Sequence, residues 1–292
     1  MGTIGGQGVL LQMIFAKYKI SIQLALSILV IGVASSFALG QTAVVRPFEP
    51  GEQLAYKAEI SRSLLKKIDV ATFRFQVEEL ALNAHAEAPP AFKFIGDVAS
   101  EGFFTKLFNV KFHQHVESTV NANSLVVQKT FKLDEQGKRI RTSEATFDSK
   151  TNKVVWVERD PNDPSKAART QTGDFSGTVQ DVVSAIYYLR TQKLDPGTSF
   201  EMEISDSGRV YKVPVRVSEK KRMKTAIGKI DAVNVVPQVF GEGALLPNTK
   251  GELSIWLSDD RRHIPVKAQF KGEYGTFDIT LKQVTQLSAP AK

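Results

Sequence analysis

Apolar residues recur at every second position along most of the chain beyond Glu52, and a pattern with that period buries its apolar side only as a strand in a sheet. Between Ile68 and Val77, the side chains of Ala71, Phe73, Phe75 and Val77 share one face, while Thr72, Arg74 and Gln76 take the other. Between Leu107 and Val116, Phe108, Val110, Phe112 and Val116 alternate with Lys111, His113 and His115, and Glu117 continues the polar side. Tyr211, Val213, Val215 and Val217 alternate with Lys212, Pro214 and Arg216. Proline has no ladder donor, so that strand is expected at an edge or a bulge. Further strands are expected over 52–60, 91–98, 125–133, 153–158, 199–204, 230–240, 253–257, 265–270 and 276–284. Turn formers separate them, among them Asp134-Glu135-Gln136-Gly137, Asp206-Ser207-Gly208 and Gly272-Glu273-Tyr274-Gly275.

One segment changes period. Thr178, with Asp181 three residues on, reads as an N-cap, and Val179, Val182, Val183, Ile186 and Leu189 then follow helical spacing. A helix of about thirteen residues is expected, ending before Leu194-Asp195-Pro196-Gly197. Arg159 to Gly177, rich in Pro, Asn, Asp, Ser and Gly, reads as a long surface loop. A dozen short strands joined by turns favour antiparallel neighbours and exceed what a twisted open sheet keeps flat, so the sheet must curl. The expected fold class is mainly β: a curled antiparallel sheet, a half-open β-barrel, with one main α-helix packed on its inner face. A two-sheet sandwich with an external helix is the alternative.

The first forty residues read as an address. Lys17 and Lys19 precede the apolar run Ile20 to Val33, and small residues lead to Ala38-Leu39-Gly40. That is the form of a secretory signal peptide with cleavage near Gly40, which leaves 41–292 as a single mostly-β domain in the periplasm or outside the cell. Met13 would begin a more ordinary leader than Met1. The alternative is a retained anchor, because Ile20 to Leu39 has the ~20 residues a spanning helix needs. After cleavage no stable span is expected.

Composition removes several classes of chemistry. With no cysteine among 292 residues there is no disulfide, thiolate zinc site, iron–sulfur cluster or cysteine nucleophile. The formal charge of +7 falls to +5 when the two leader lysines leave. The densest cationic run, Lys220-Lys221-Arg222-Met223-Lys224, lies between two strand patterns and reads as a solvated turn. Without stacking or groove-reading elements nucleic acid is not an expected partner, while weak attraction to anionic lipid headgroups stays open.

His113 and His115 project from one strand face at a spacing that can hold a transition metal, but Lys111 and Glu117 share that face and no third ligand follows, so no metal is assigned. Asp259 and Asp260 are adjacent in a polar turn, whereas acid–base catalysis needs two carboxyls in different environments; Ser258 and Asp259 are expected to cap the turn. No phosphate loop, nucleophile elbow or metalloprotease helix occurs, and no cofactor is expected. The aromatic residues Phe103, Phe104, Phe108, Phe112, Trp156, Tyr187, Tyr188 and Trp256 read either as core or as the lining of a groove.

Three stretches resemble the exported bacterial proteins of domain-of-unknown-function family 3108: Phe48-Glu49-Pro50-Gly51-Glu52-Gln53-Leu54-Ala55-Tyr56, Val179 to Arg190 with its Ser184-Ala185 and Tyr188-Leu189-Arg190, and Leu253 to Asp260 followed by Arg262 to Val266. The likeness runs from about Phe48 to Lys282. It departs at Lys67-Ile68-Asp69, where a glycine is expected before the second strand, which leaves the register of the first hairpin open. The Trp, acidic-turn and Pro-led strand pattern is also similar, over one hairpin, to the lipoprotein-carrier type of half-barrel, and that likeness implies an apolar ligand. Arg190 is expected to reach the acidic turn as an ion pair, which would join the two family motifs. Tyr187, Tyr188, Arg190, Trp256, Asp259 and Asp260 are therefore the candidate groove or structural motif. The expected function is that of an exported, monomeric, non-enzymatic envelope protein that holds a lipid or other apolar ligand in a half-barrel groove. The alternatives are a structural or assembly protein with a filled core, working through envelope partners, and a hydrolase using Asp259 or His263.

Overall fold

The computed structural model describes residues 46–62, 65–80, 90–101, 111–273 and 275–286. The N-terminal segment that reads as a signal peptide, His85, Phe103, Phe104, Leu107, Phe108, Val110 and Tyr274 lie outside the described residues. Eight strands come first: β1 (Glu52–Arg62), β2 (Leu65–Leu80), β3 (Ala91–Ser100), β4 (Phe112–Asn121), β5 (Val127–Gln136), β6 (Arg139–Asp148), β7 (Lys153–Arg159) and β8 (Arg169–Asp174). After the short β9 (Val179–Gln180) and the helix α1 (Val182–Arg190) follow β10 (Ser199–Asp206), β11 (Arg209–Thr225), β12 (Gly228–Pro237), β13 (Gly251–Ser258), β14 (Pro265–Gly272) and β15 (Gly275–Gln286).

All fifteen belong to one sheet. From its centre, β1 pairs antiparallel with both β2 and β15, and each further strand pairs with its sequence neighbour until β8 ends one side and β9 the other. Only the two-residue β9–β10 pairing is parallel. Laid flat at about 4.8 Å per strand, such a sheet would be roughly 70 Å wide. Yet Asp174, the last residue of β8, and Val179, the first of β9, are five residues apart, a reach of at most about 18 Å. The sheet must therefore curl until its two edges nearly meet. The linker is tied across the gap: Glu203 on β10 accepts hydrogen bonds from Ser176 N at 2.7 Å and Gly177 N at 3.0 Å, and from Ser176 Oγ. A methyl group built on Gly173 of β8 would sit 2.5 Å from the carbonyl oxygen of Gly208, so two backbones touch here and only glycine fits. The edges meet without a ladder, and the barrel stays unclosed.

The alternation decides which side chains point inward. In β4, Phe112, Gln114, Val116, Ser118 and Val120 are buried and the residues between them are half-exposed. Ser207 and Gly208, with φ of 51° and 77°, make the two-residue turn that the right-handed strand twist favours between β10 and β11. Lys67 takes φ of 54° where the family pattern expects a glycine, so a lysine occupies the left-handed conformation, with register shifts in the adjoining β1–β2 pairing.

Several expectations are corrected. β6 and β9 are additional strands, and Arg169–Asp174 is the edge strand β8 inside what reads as a loop. β6 and β8 escape the apolar alternation because β6 buries only Ala145 and Phe147 and β8 buries nothing. α1 has nine residues rather than thirteen, since Val179 and Gln180 are pulled into the sheet and Asp181, not Thr178, is the N-cap. Pro214 is not on an edge strand: β11 pairs on both sides, and Pro214 sits one residue past the last β11–β12 register pair, Val215 with Pro237. Leu125 has φ of 55° and precedes β5.

α1 divides the interior. Val183 and Tyr187 pack with Phe48, Phe73, Phe94 and Val116, while Ala185 and Leu189 pack with Ile204, Val213, Val235 and Leu257. These four helix residues have no exposed surface, and Val182, Ile186 and Tyr188 are half-buried against the same clusters. Among the described residues no helix is long and apolar enough to cross a membrane.

Candidate functional site

Both ends of α1 carry a buried charge bound to the sheet. At the N-terminus the Asp181 carboxylate accepts from Val183 N and Ser184 N at 2.9 Å each, and Asp181 N donates to Ser184 Oγ, closing a reciprocal cap. The same carboxylate accepts from Ser118 Oγ on β4 at 2.7 Å and from Thr130 Oγ1 on β5. Four donors, none of them ionised, thus hold a carboxylate that is 4% exposed.

At the C-terminus the Arg190 guanidinium is 1% exposed and grips Glu52 of β1, itself fully buried, through two nitrogens: Nη1 to Oε1 at 2.5 Å and Nη2 to Oε2 at 3.0 Å. Nη2 also donates to Pro47 O at 2.6 Å and Nε to Arg262 O at 3.0 Å. Arg262 Nη2 approaches Glu52 Oε2 at 2.8 Å. His263 Nδ1 lies 2.8 Å from Arg190 O; a carbonyl only accepts, so this nitrogen carries the proton. The rings of Phe48 and Tyr187 flank the guanidinium, with centroids 5.7 and 5.6 Å away. Tyr187 stacks on Phe94 at 4.1 Å. Its buried hydroxyl has no hydrogen-bond partner among the described residues, and burial pushes its pKa well above the ordinary tyrosine value. Burial likewise raises Tyr56, whose hydroxyl donates to Pro265 O at 2.9 Å.

Arg190 therefore reaches the acidic turn, but through the backbone of Arg262; its carboxylate partner is Glu52. The expected pair with Asp259 does not form, because Asp259 bonds Lys220 at 2.8 Å. Asp260, rather than Asp259, is the side chain that caps the turn, accepting from Ser258 Oγ, Arg262 N and His263 N, while Ser258 Oγ accepts from Ile264 N. Trp256 alternates with Leu253, Ile255 and Leu257, which face the helix, so it lies on the opposite face of β13 from Tyr187. Tyr188 is half-buried and raised in pKa by burial. Of the six candidates, the structure joins Tyr187 with Arg190 and leaves Trp256, Asp259 and Asp260 outside any common groove. Sequence reasoning missed Glu52, Ser118 and Thr130. A signal existed for the first two: Glu52 shares the inward parity of Leu54, Tyr56 and Ala58, and Ser118 that of Val116 and Val120, so both had to find buried partners.

A pocket of about 50 Å³ lies between α1, the inner face of β4 to β7 and the β10–β11 turn; its lining includes Val116, Phe147, Trp156, Val182, Lys132 and Ser205. Outside, His113 Nδ1 meets Glu135 at 2.7 Å and His115 Nδ1 meets Asp97 at 2.9 Å. Among the described residues no three His, Asp or Glu side chains are arranged to hold a metal ion.

The family model described as "Protein of unknown function (DUF3108)" matches residues 55–282. No curated protein matches the chain. Among solved structures, a β-barrel-like protein of the domain of unknown function DUF1849 from Brucella abortus superposes with a TM-score of 0.51 at 13% identity, covering 84% of this chain and all of that one. A Bacteroides fragilis protein described as exported, with a YmcC-like fold, has a TM-score of 0.34 at 6% identity, covering 82% of this chain and 98% of its own. A Parabacteroides distasonis protein described as a lipoprotein has a TM-score of 0.29 at 11% identity, covering 82% and 97%. The first likeness is one of fold alone, and the other two carry no argument.

Proposed function

Because this chain belongs to DUF3108, a family described only as being of unknown function, no activity comes with its membership, and we propose from the geometry that it is an exported, non-enzymatic envelope protein. It works as a monomer through surface contacts, with an interior committed to its own helix. The observation that carries this reading is that α1 fills the hollow of the curled sheet, with Val183, Ala185, Tyr187 and Leu189 fully buried between two apolar clusters. Export rests on the leader at Ile20 to Gly40. The acidic turn and His263 support no hydrolase: Asp259 pairs with Lys220, Asp260 caps its own turn, and the His263 ring donates to a carbonyl.

Mass spectrometry of the protein purified from its host, together with cross-linking in envelope extracts, tests this reading. Cross-linked envelope proteins and no stoichiometric lipid are expected. A lipid retained in equimolar amount would overturn it and favour the apolar-ligand reading, which rests on the pocket beside Trp156. That pocket, at about 50 Å³, is far below the roughly 300–1,000 Å³ of ordinary small-molecule sites.

A further inference from the structure

Arg216 to Asp231 carries six cations and two carboxylates, so a net +4 of the chain's formal +7 sits on sixteen residues. These residues are the end of the β11–β12 hairpin. β10 pairs with β11 only as far as Arg216, and β13 pairs with β12 only from Ala232, so between these points the hairpin is a two-stranded ribbon that leaves the sheet. Met223 and Ile230, a cross-strand pair, and Ile227 in the turn pack against the core and hold the ribbon in place. The cations are exposed. Arg222 is neutralised by Asp231 at 2.9 Å and Lys220 by Asp259 at 2.8 Å, but Lys221, Lys224 and Lys229 have no ion-pair partner among the described residues. Lys224 and Lys229 stand directly opposite in register, an arrangement that costs stability unless an anion lies over it. Arg216 at the base of the ribbon and Arg261 on the turn that Lys220 reaches, both exposed, are two further cations without an ion-pair partner among the described residues.

An anionic bilayer is the partner that this concentration of unpaired positive charge fits. Lysines on an exposed ribbon offer point charges to a plane of phosphates, without a fork or pocket that would select one shaped anion. We infer that the β11–β12 ribbon docks the protein on a membrane surface of anionic phospholipid through Lys224 and Lys229, which share the ribbon face opposite Met223 and Ile230.

The test compares the full chain with its Lys224→Gln, Lys229→Gln variant by sedimentation with vesicles of phosphatidylcholine alone or mixed with phosphatidylglycerol. The N-terminal segment contributes equally to both proteins, so their difference reports the ribbon. The natural chain should prefer the mixed vesicles, and the variant should lose about twenty-five-fold of that preference, roughly fivefold per lysine. Raising salt should release the natural chain in the same way. Equal partition onto both vesicle types, an unchanged variant, or displacement from mixed vesicles by soluble polyglutamate as effective as that by further vesicles would overturn the proposal. Should the variant fail to fold, the salt titration decides alone, and salt-insensitive binding counts against it.

Discussion

The two ends of α1 solve the same problem by different physics. Asp181 is a buried carboxylate surrounded by dipoles: two backbone N–H groups and two hydroxyls. Glu52 is a buried carboxylate surrounded by cations, Arg190 in full contact and Arg262 reaching in from the surface. At the first end the charge rests on donors that are neutral on their own, so losing the charge leaves little behind. At the second, losing the carboxylate strands a guanidinium with no exposed surface, flanked by Phe48 and Tyr187. A buried ion pair stabilises little against an apolar replacement of both partners, yet breaking it from one side is costly.

Amide isosteres at the two sites should separate these cases. Glu52→Gln keeps the shape and one acceptor but removes the charge, and should lower stability in urea unfolding by about 3–5 kcal/mol. The double replacement Glu52→Leu with Arg190→Met should cost much less than the single one; an equal or larger loss would break the comparison. Asp181→Ala removes the cap and orphans two hydroxyls, for about 2–3 kcal/mol. Asp181→Asn, which still offers an acceptor to the cap, should recover more than half of that loss in the same measurement. Deleting one hydroxyl, Thr130→Val or Ser118→Ala, should cost about 1 kcal/mol.

The smallest effect belongs to a pair left in water. Burial lowers the His115 pKa, but the hydrogen bonds that its ring donates to Asp97 and Glu117 outweigh it and the net shift is upward. A group raised on folding contributes stability in full below its unfolded pKa of about 6.5 and loses it as pH rises through the folded value. The thermal midpoint of the natural protein should therefore fall slightly more between pH 6 and pH 8 than that of His115→Gln. A steeper fall in the variant would show that another group sets the slope.

Much of this was legible beforehand, and the failures share a cause. Period two located the strands whose faces differ in polarity, as β4 and β13 show by burying alternate residues, and the number of such strands implied the curl. It could not locate β8, whose six residues bury nothing and pair in register with β7 alone. The helix pattern found the right side chains and the wrong start, since a cap is chosen by which carboxylate meets Ser118 and Thr130 across the interior. Arg190 was recognised as reaching toward the acidic turn, but its partner lies 138 residues away on β1. Spacing along one segment carries no information about a contact of that range. The glycine missing at Lys67 was noticed, and its consequence, a lysine with positive φ, is a backbone fact that only coordinates reveal.

The pairing of β1 with β15 has a consequence for how the molecule comes into being. Glu52 of the first strand faces Gln286 of the last in register, and between them the chain has visited both rims of the sheet. A polypeptide delivered head first, by a ribosome or through a narrow pore, can zip neighbouring hairpins as they emerge, but its first strand keeps one row of amides and carbonyls open until the tail arrives. Assembly is therefore late and depends on contacts distant along the chain, a combination that makes folding slow. Such a chain stays threadable until its last strand has been delivered.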